Sequence, residues 1–213
     1  MPLTDSLRAL CERLAKCVGV VAAAGLLLAG CGGGVVDVAF VFGDPWPVFS
    51  RPLYERLQRP VIAGLQFVNS ARPDDRDLTG ADGTYFGYGG GDVVTFLVGD
   101  LVLFALPGDL PRDFTSLYEA ARYQVSPLTS DTAAENLAAF LITLDDDGNA
   151  GNGIQIPARV RSAANGIRIN FNQTSAAFYA DPAVQFAVSV LSANTAAGQR
   201  ALPPRATAVA ILQ

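Results

Sequence analysis

The chain has 213 residues, half of them hydrophobic, with a formal net charge of −5 and no histidine. Its only lysine is Lys16, and its three cysteines, Cys11, Cys17 and Cys31, all precede Gly32. Everything after Cys31 therefore lacks the residues for Ser-His-Asp, Cys-His or Ser-Lys catalysis, for a thiolate metal site and for a disulfide.

Residues 1–30 have the layout of a secretory signal peptide. Arg8, Arg13 and Lys16 form a positive start, and a thirteen-residue apolar stretch from Val18 runs to Leu28-Ala29-Gly30-Cys31. This stretch falls short of the roughly 20 apolar residues that a spanning helix needs, and Gly32 to Gly34 with Asp37 interrupt any extension. The sequence L-A-G-C is similar to the lipobox of bacterial lipoproteins. That resemblance implies cleavage before Cys31, lipidation of its sulfur and acylation of the new N-terminus, giving a stable multi-chain anchor in the membrane. Gly32 in place of aspartate after the cysteine implies transport onward to the outer membrane.

The mature part would keep 183 residues, enough for one domain with a sizeable core. It carries 12 basic and 18 acidic residues, a balance that argues against nucleic acid and against a patch for anionic lipid. Residues 31–60 read as a flexible Gly/Pro-rich tether, with Pro45, Pro47, Pro52 and Pro60. Within it, Ser50 is expected to cap a short helix through Gln58, and Trp46 and Phe49 to pack back on the domain. The globular domain is expected over 61–213.

From Val61 to Val68 the residues alternate with a period of two, the mark of a strand. Asn69 to Thr79 reads as a polar loop. Strands are then expected at Thr84 to Phe86 after an Asp82-Gly83 turn, at Asp92 to Val98, and at Leu101 to Leu106 beyond a Gly99-Asp100 hairpin turn. The last two are apolar on both faces, so cover on both sides is expected. Ser116-x-x-Glu119 marks a helix over about 113 to 124, and Thr132-x-x-Glu135 one over 132 to 144. Asp181-Pro182 opens a third, with Val184, Ala187, Val188 and Leu191 on one face. Short strands are expected at Gly153 to Pro157 and Ile167 to Phe171, and a terminal helix at Ala206 to Leu212. The fold class that follows is α+β: a β-sandwich-like antiparallel sheet in the first half of the mature chain, packed by helices from the second half.

One stretch stands out chemically. Asp145-Asp146-Asp147-Gly148-Asn149-Ala150-Gly151-Asn152 follows a helix with three carboxylates and two carboxamides. Asp145, Asp147 and Asn149 sit at alternate positions as in the first half of an EF-hand loop. Ala150 stands where that loop needs glycine and Ile156 where it needs its closing glutamate, so the EF-hand itself is excluded. A different calcium site built on Asp145, Asp147, Asn149 and Asn152 stays open as the alternative to a plain helix C-terminus and polar turn without a cofactor. Three acidic residues at a helix C-terminus oppose the macrodipole, and a cation would relieve them. Gly87 to Asp92 lacks a Walker lysine and reads as a strand breaker. Tyr85, Phe86 and Tyr88 read as packing residues rather than a sugar platform.

Val61-x-Ala63-Gly64-Leu65, Thr79 to Tyr88, Asp92 to Leu103 and Glu135 to Ile154 together resemble a module of proteobacterial surface lipoproteins. Its pattern has a V-x-G-L segment, a G-x-F-x-Y strand and a T-L-D-x-D-G-x-x-x-N-G-I helix and loop. The first part also resembles carboxypeptidase-regulatory-like, transthyretin-type β-sandwiches. Gly80 and Gly91-Asp92 depart from the module, which usually has aspartate and Gly-Glu there. The resemblance implies a lipid-anchored outer-membrane protein without enzymatic activity, adhesin-like, with an envelope protein or glycan as partner and no nucleic acid. The alternatives are a glycosidase-like hydrolase using two carboxylates from Asp100, Asp109, Asp113 and Glu119, and an assembly factor of an envelope complex.

Overall fold

A computed structural model describes residues 52–109 and 116–213. All of them belong to one unit, Asp44–Gln213. The signal segment, Cys31, Trp46, Phe49, Ser50 and Asp113 lie outside the described residues. The class is α+β, with antiparallel strands in the first half and helices in the second.

The chain enters through β1 (Leu53–Arg56), not through the expected helix. Pro52 precedes it, and β1 pairs antiparallel with β5 (Thr84–Gly87). Leu57 is buried just beyond, with its amide on the Gly83 carbonyl at 3.0 Å. The folded part thus begins before Val61, and the last residues of the expected tether are structural.

The alternating segment from Val61 is two strands, not one. β2 (Ile62–Ala63) and β3 (Gln66–Asn69) are separated by Gly64, whose φ of +71° breaks the run. The break shifts the phase, so that Ile62, Leu65 and Phe67 are all buried. A side chain at position 64 would bring its Cβ to 2.6 Å from the Ile156 carbonyl oxygen. Thr79 holds the kink: its hydroxyl donates to the Ile62 carbonyl at 2.6 Å and accepts the Leu65 amide at 3.0 Å. From the other side the Arg161 guanidinium donates to the carbonyls of Gly64 and Ile156 at 2.8 and 2.5 Å.

The polar stretch after Asn69 is also a strand. β4 (Arg72–Leu78) pairs with β3 and is exposed at every residue. It forms one edge of a four-stranded sheet ordered β4-β3-β6-β7, completed by β6 (Val93–Val98) and β7 (Leu101–Pro107). Charged side chains and Pro73 on an edge discourage pairing with another chain. Aromatic residues fill the layer between this sheet and the β1–β5 ribbon. Tyr85 meets Phe96 edge-on at 5.0 Å, and Phe96 stacks on Phe104 across the β6–β7 pair at 4.4 Å. The packing reading of Tyr85 holds, since it is 2 % exposed. β7 is covered on both faces only toward its end, where Phe104, Ala105 and Leu106 are consecutively buried while Val102 is exposed.

In the second half, α1 (Leu117–Ala120) is a single turn capped by Ser116, far shorter than expected. α2 (Asp131–Thr143) is the hub of the helical layer, with every residue from Ala133 to Thr143 buried. Its cap is Ser130, whose hydroxyl accepts the Ala133 amide at 3.1 Å, rather than Thr132. Glu135, freed from capping, pairs with Arg205 at 2.6 Å. Around α2 lie α1, α4 (Ser175–Ala180), α5 (Pro182–Ser192) and α6 (Arg205–Ala210). α5 starts at the Asp181 cap and buries Val184, Ala187, Val188 and Leu191 as expected.

A short helix α3 (Ala158–Ala163) follows β8 (Ile154–Gln155), which pairs parallel with β2 and ties the two halves together. Ile167 to Phe171, expected as a short strand, forms none. One contiguous hydrophobic core runs from Leu57 to Leu212. Among the described residues no helix is long and apolar enough to cross a membrane.

Candidate functional site

α2 ends at Thr143, and Leu144 takes the C-cap position before the acidic loop. The three aspartates then diverge. Asp145 turns inward and is fully buried, with Oδ1 accepting the Gln155 amide at 2.8 Å. Its Oδ2 is buried without a hydrogen-bond partner. Asp146 turns sideways: its carboxylate pairs with Arg159 and accepts the Ala196 amide at 2.8 Å. Asp147 stays at the surface, where it accepts the Asn149 amide and the Asn152 carboxamide, both at 2.8 Å.

The four candidate ligands therefore fall into two groups. Asp145 and Asp147 are close enough for each carboxyl to perturb the other. Asn149 and Asn152 support them: the Asn149 side chain caps a 3-10 turn, Ala150–Asn152, and Asn152 presents its nitrogen to Asp147. Burial pushes the Asp145 carboxyl above its usual range, opposed by the Gln155 amide and reinforced by Asp147. The Asn152 carboxamide and the Asn149 amide hold Asp147 below its usual range. Gly148, at φ +76°, lets the loop curl.

Two arginines also act on this loop, and local sequence reasoning did not find them. Arg200 donates to the carbonyls of Thr143, at 3.0 Å, and of Asp145. It thereby supplies positive charge at the negative end of the α2 macrodipole. Arg159 neutralises Asp146. Both come from more than ten residues away in sequence, and no spacing rule connects them to Asp145.

A second feature is a polar cleft of about 430 Å³ between the start of α2 and the start of α4. Thr129, Ser130, Thr132, Thr174 and Ser175 contribute hydroxyls, Asn172 and Gln173 carboxamides, and Arg205 a guanidinium. The cleft is internally braced: the Asn172 Oδ1 accepts both the amide and the hydroxyl of Thr129 at 2.9 Å. Because the Ser130 and Thr174 oxygens accept capping amides, their O–H groups remain available as donors. Arg205 is fixed at the rim by Glu135 beneath it.

Of the carboxylates considered for hydrolysis, the described ones, Asp100, Asp109 and Glu119, do not line this cleft. Asp100 accepts the Gly166 amide at 3.3 Å at the β6–β7 tip, and Glu119 lies in the first turn of α1.

Comparison with protein-family models, with characterised proteins and with solved structures returns no match. What the fold and the site define is an α+β protein with a helix-terminal acidic loop and a hydroxyl-lined cleft.

Proposed function

We propose that the chain is a non-enzymatic lipoprotein of the cell envelope, anchored in the outer membrane through Cys31, whose domain binds an envelope protein or a glycan. The observation that carries the anchor is Leu28-Ala29-Gly30-Cys31 behind a basic start and a short apolar stretch. The absence of histidine, and of cysteine and lysine beyond Cys31, supports a binding role over the commonest catalytic devices. The cleft supports a polyhydroxylated ligand, since its hydroxyls and carboxamides can both donate to and accept from sugar hydroxyls.

Cys31→Ala removes the sulfur that takes the lipid. Palmitate labelling and membrane fractionation should show loss of label and of outer-membrane sedimentation. A variant that still labels and sediments would end the lipoprotein reading. For the binding half, a glycan array and cross-linking in the envelope are expected to yield a ligand that Arg205→Ala weakens. Failure of both to capture anything would remove it.

A further inference from the structure

We propose that the Asp145 and Asp147 carboxylates hold a calcium ion at the C-terminal end of α2. The inference is independent of the anchor and of the cleft. It starts from the wholly buried Asp145 side chain, whose Oδ2 has no hydrogen-bond partner. A buried acceptor left unmade is costly, more so when it belongs to a charged group. Asp147, a second carboxylate, is close enough to act with burial in disfavouring a charged Asp145, so like charges meet where desolvation is greatest.

The protein's own cations relieve this only in part: Arg200 is near enough to favour a charged Asp147. Among the described residues neither Asp145 nor Asp147 forms an ion pair. Arg159 is committed to Asp146. Arg200 directs its hydrogen bonds to main-chain carbonyls of Thr143 and Asp145 and to the Thr195 hydroxyl, not to either carboxylate. A small cation between the two carboxylates satisfies the orphaned oxygen and removes the repulsion.

Calcium fits this donor chemistry. It takes six to eight oxygens in flexible geometry and accepts carboxylates, carboxamides, carbonyls and water together. Asp147 and Asn149 are exposed, so the ion has an open route and can keep several waters. Magnesium demands a near-ideal octahedron and sheds water reluctantly. No group of three or more acidic, histidine or cysteine side chains that could hold a metal occurs among the described residues. Two carboxylates place the affinity at the weak end, about 10⁻⁴ to 10⁻³ M. The bound ion would tie the end of α2 to β8, because Asp145 already grips the Gln155 amide through its other oxygen.

The test is thermal unfolding of the full chain in EDTA, in ~10 mM calcium and in ~10 mM magnesium, with Asp147→Asn alongside. Calcium should raise the wild-type midpoint by about 3 to 6 °C, and magnesium should raise it distinctly less. Asp147→Asn, at an exposed position, should fold and lose the calcium response. Calorimetric titration should count one ion per chain. The proposal is overturned by a wild type indifferent to calcium, by an equal response to magnesium, or by an undiminished response in Asp147→Asn. A midpoint that follows pH but not calcium would also overturn it, leaving a proton between the carboxyls.

Discussion

Phe140→Ala is expected to destabilise the protein by about 3 to 5 kcal/mol, the range for emptying a phenylalanine site that cannot collapse. Phe140 is 0 % exposed in the middle of α2, the helix with neighbours on every side. Its ring meets Phe171 edge-on at 5.6 Å, and Phe171 in turn contacts Phe178 of α4 at 5.7 Å. Because α2 is clamped by α1, α4, α5 and α6, no single element can move in to fill the space. Chemical denaturation of the wild type and variant measures the difference. A loss below about 1 kcal/mol would show that the helical layer relaxes freely, contrary to close packing. Phe140→Leu, which keeps much of the volume, should recover most of the loss.

Asp92→Ala should be comparably severe, at about 3 to 5 kcal/mol, for a different reason. The Asp92 carboxylate is 5 % exposed and organises three chain segments. Oδ1 accepts the Ser70 hydroxyl at 2.8 Å and the Ala71 amide at 3.0 Å, while Oδ2 accepts the Tyr88 amide at 2.8 Å. With its carboxamide nitrogen turned inward, Asn69 adds a fourth donor at 3.1 Å. Hydrogen bonds to a charged acceptor contribute about 1.5 to 3 kcal/mol each, less where water can replace them, as at Ser70. Asp92→Asn keeps the shape but sets an NH2 group against one of these donors, so it should recover only part of the loss. Indifference of the melting midpoint to both substitutions would mean that the β3–β4 and β5–β6 turns hold without Asp92.

The contrast between these residues also explains what could be read from the sequence. α5 was legible because an Asp-Pro start and a 3.6-residue apolar stripe report the same surface of one helix. The β6–β7 hairpin was legible because Gly99-Asp100 separates two apolar runs. β4 was not, because a strand at a charged sheet edge, Arg72-Pro73-Asp74-Asp75-Arg76-Asp77, buries no face and carries no alternation. Ile167 and Ile169 misled in the opposite direction: they alternate because one side leans on the core, without any ladder partner. Pro52 suggested a helix start where the residues that follow bury Glu55 and Leu57 in strand fashion. In the acidic loop the carboxylates were evident, but the direction of each depends on Gln155, Arg159, Ala196 and Arg200. Those partners are set by tertiary packing.

The parallel pairing of β2 with β8 bears on the order in which the molecule assembles. The β6–β7 hairpin closes across two residues, whereas Ile62 must find Ile154 across 92 positions. Loop-closure entropy makes that encounter about 3 kcal/mol more costly than closing a short turn. The Ile154 and Ile156 amides, bonded to Val61 and Ala63 at 2.8 and 2.9 Å, are thus among the last to gain protection. Pulse-labelled hydrogen exchange should find them open after the β6–β7 amides have closed. The acidic loop adjoins this seam through Asp145, which accepts the Gln155 amide, so a change that frees Asp145 is expected to open the same pairing first.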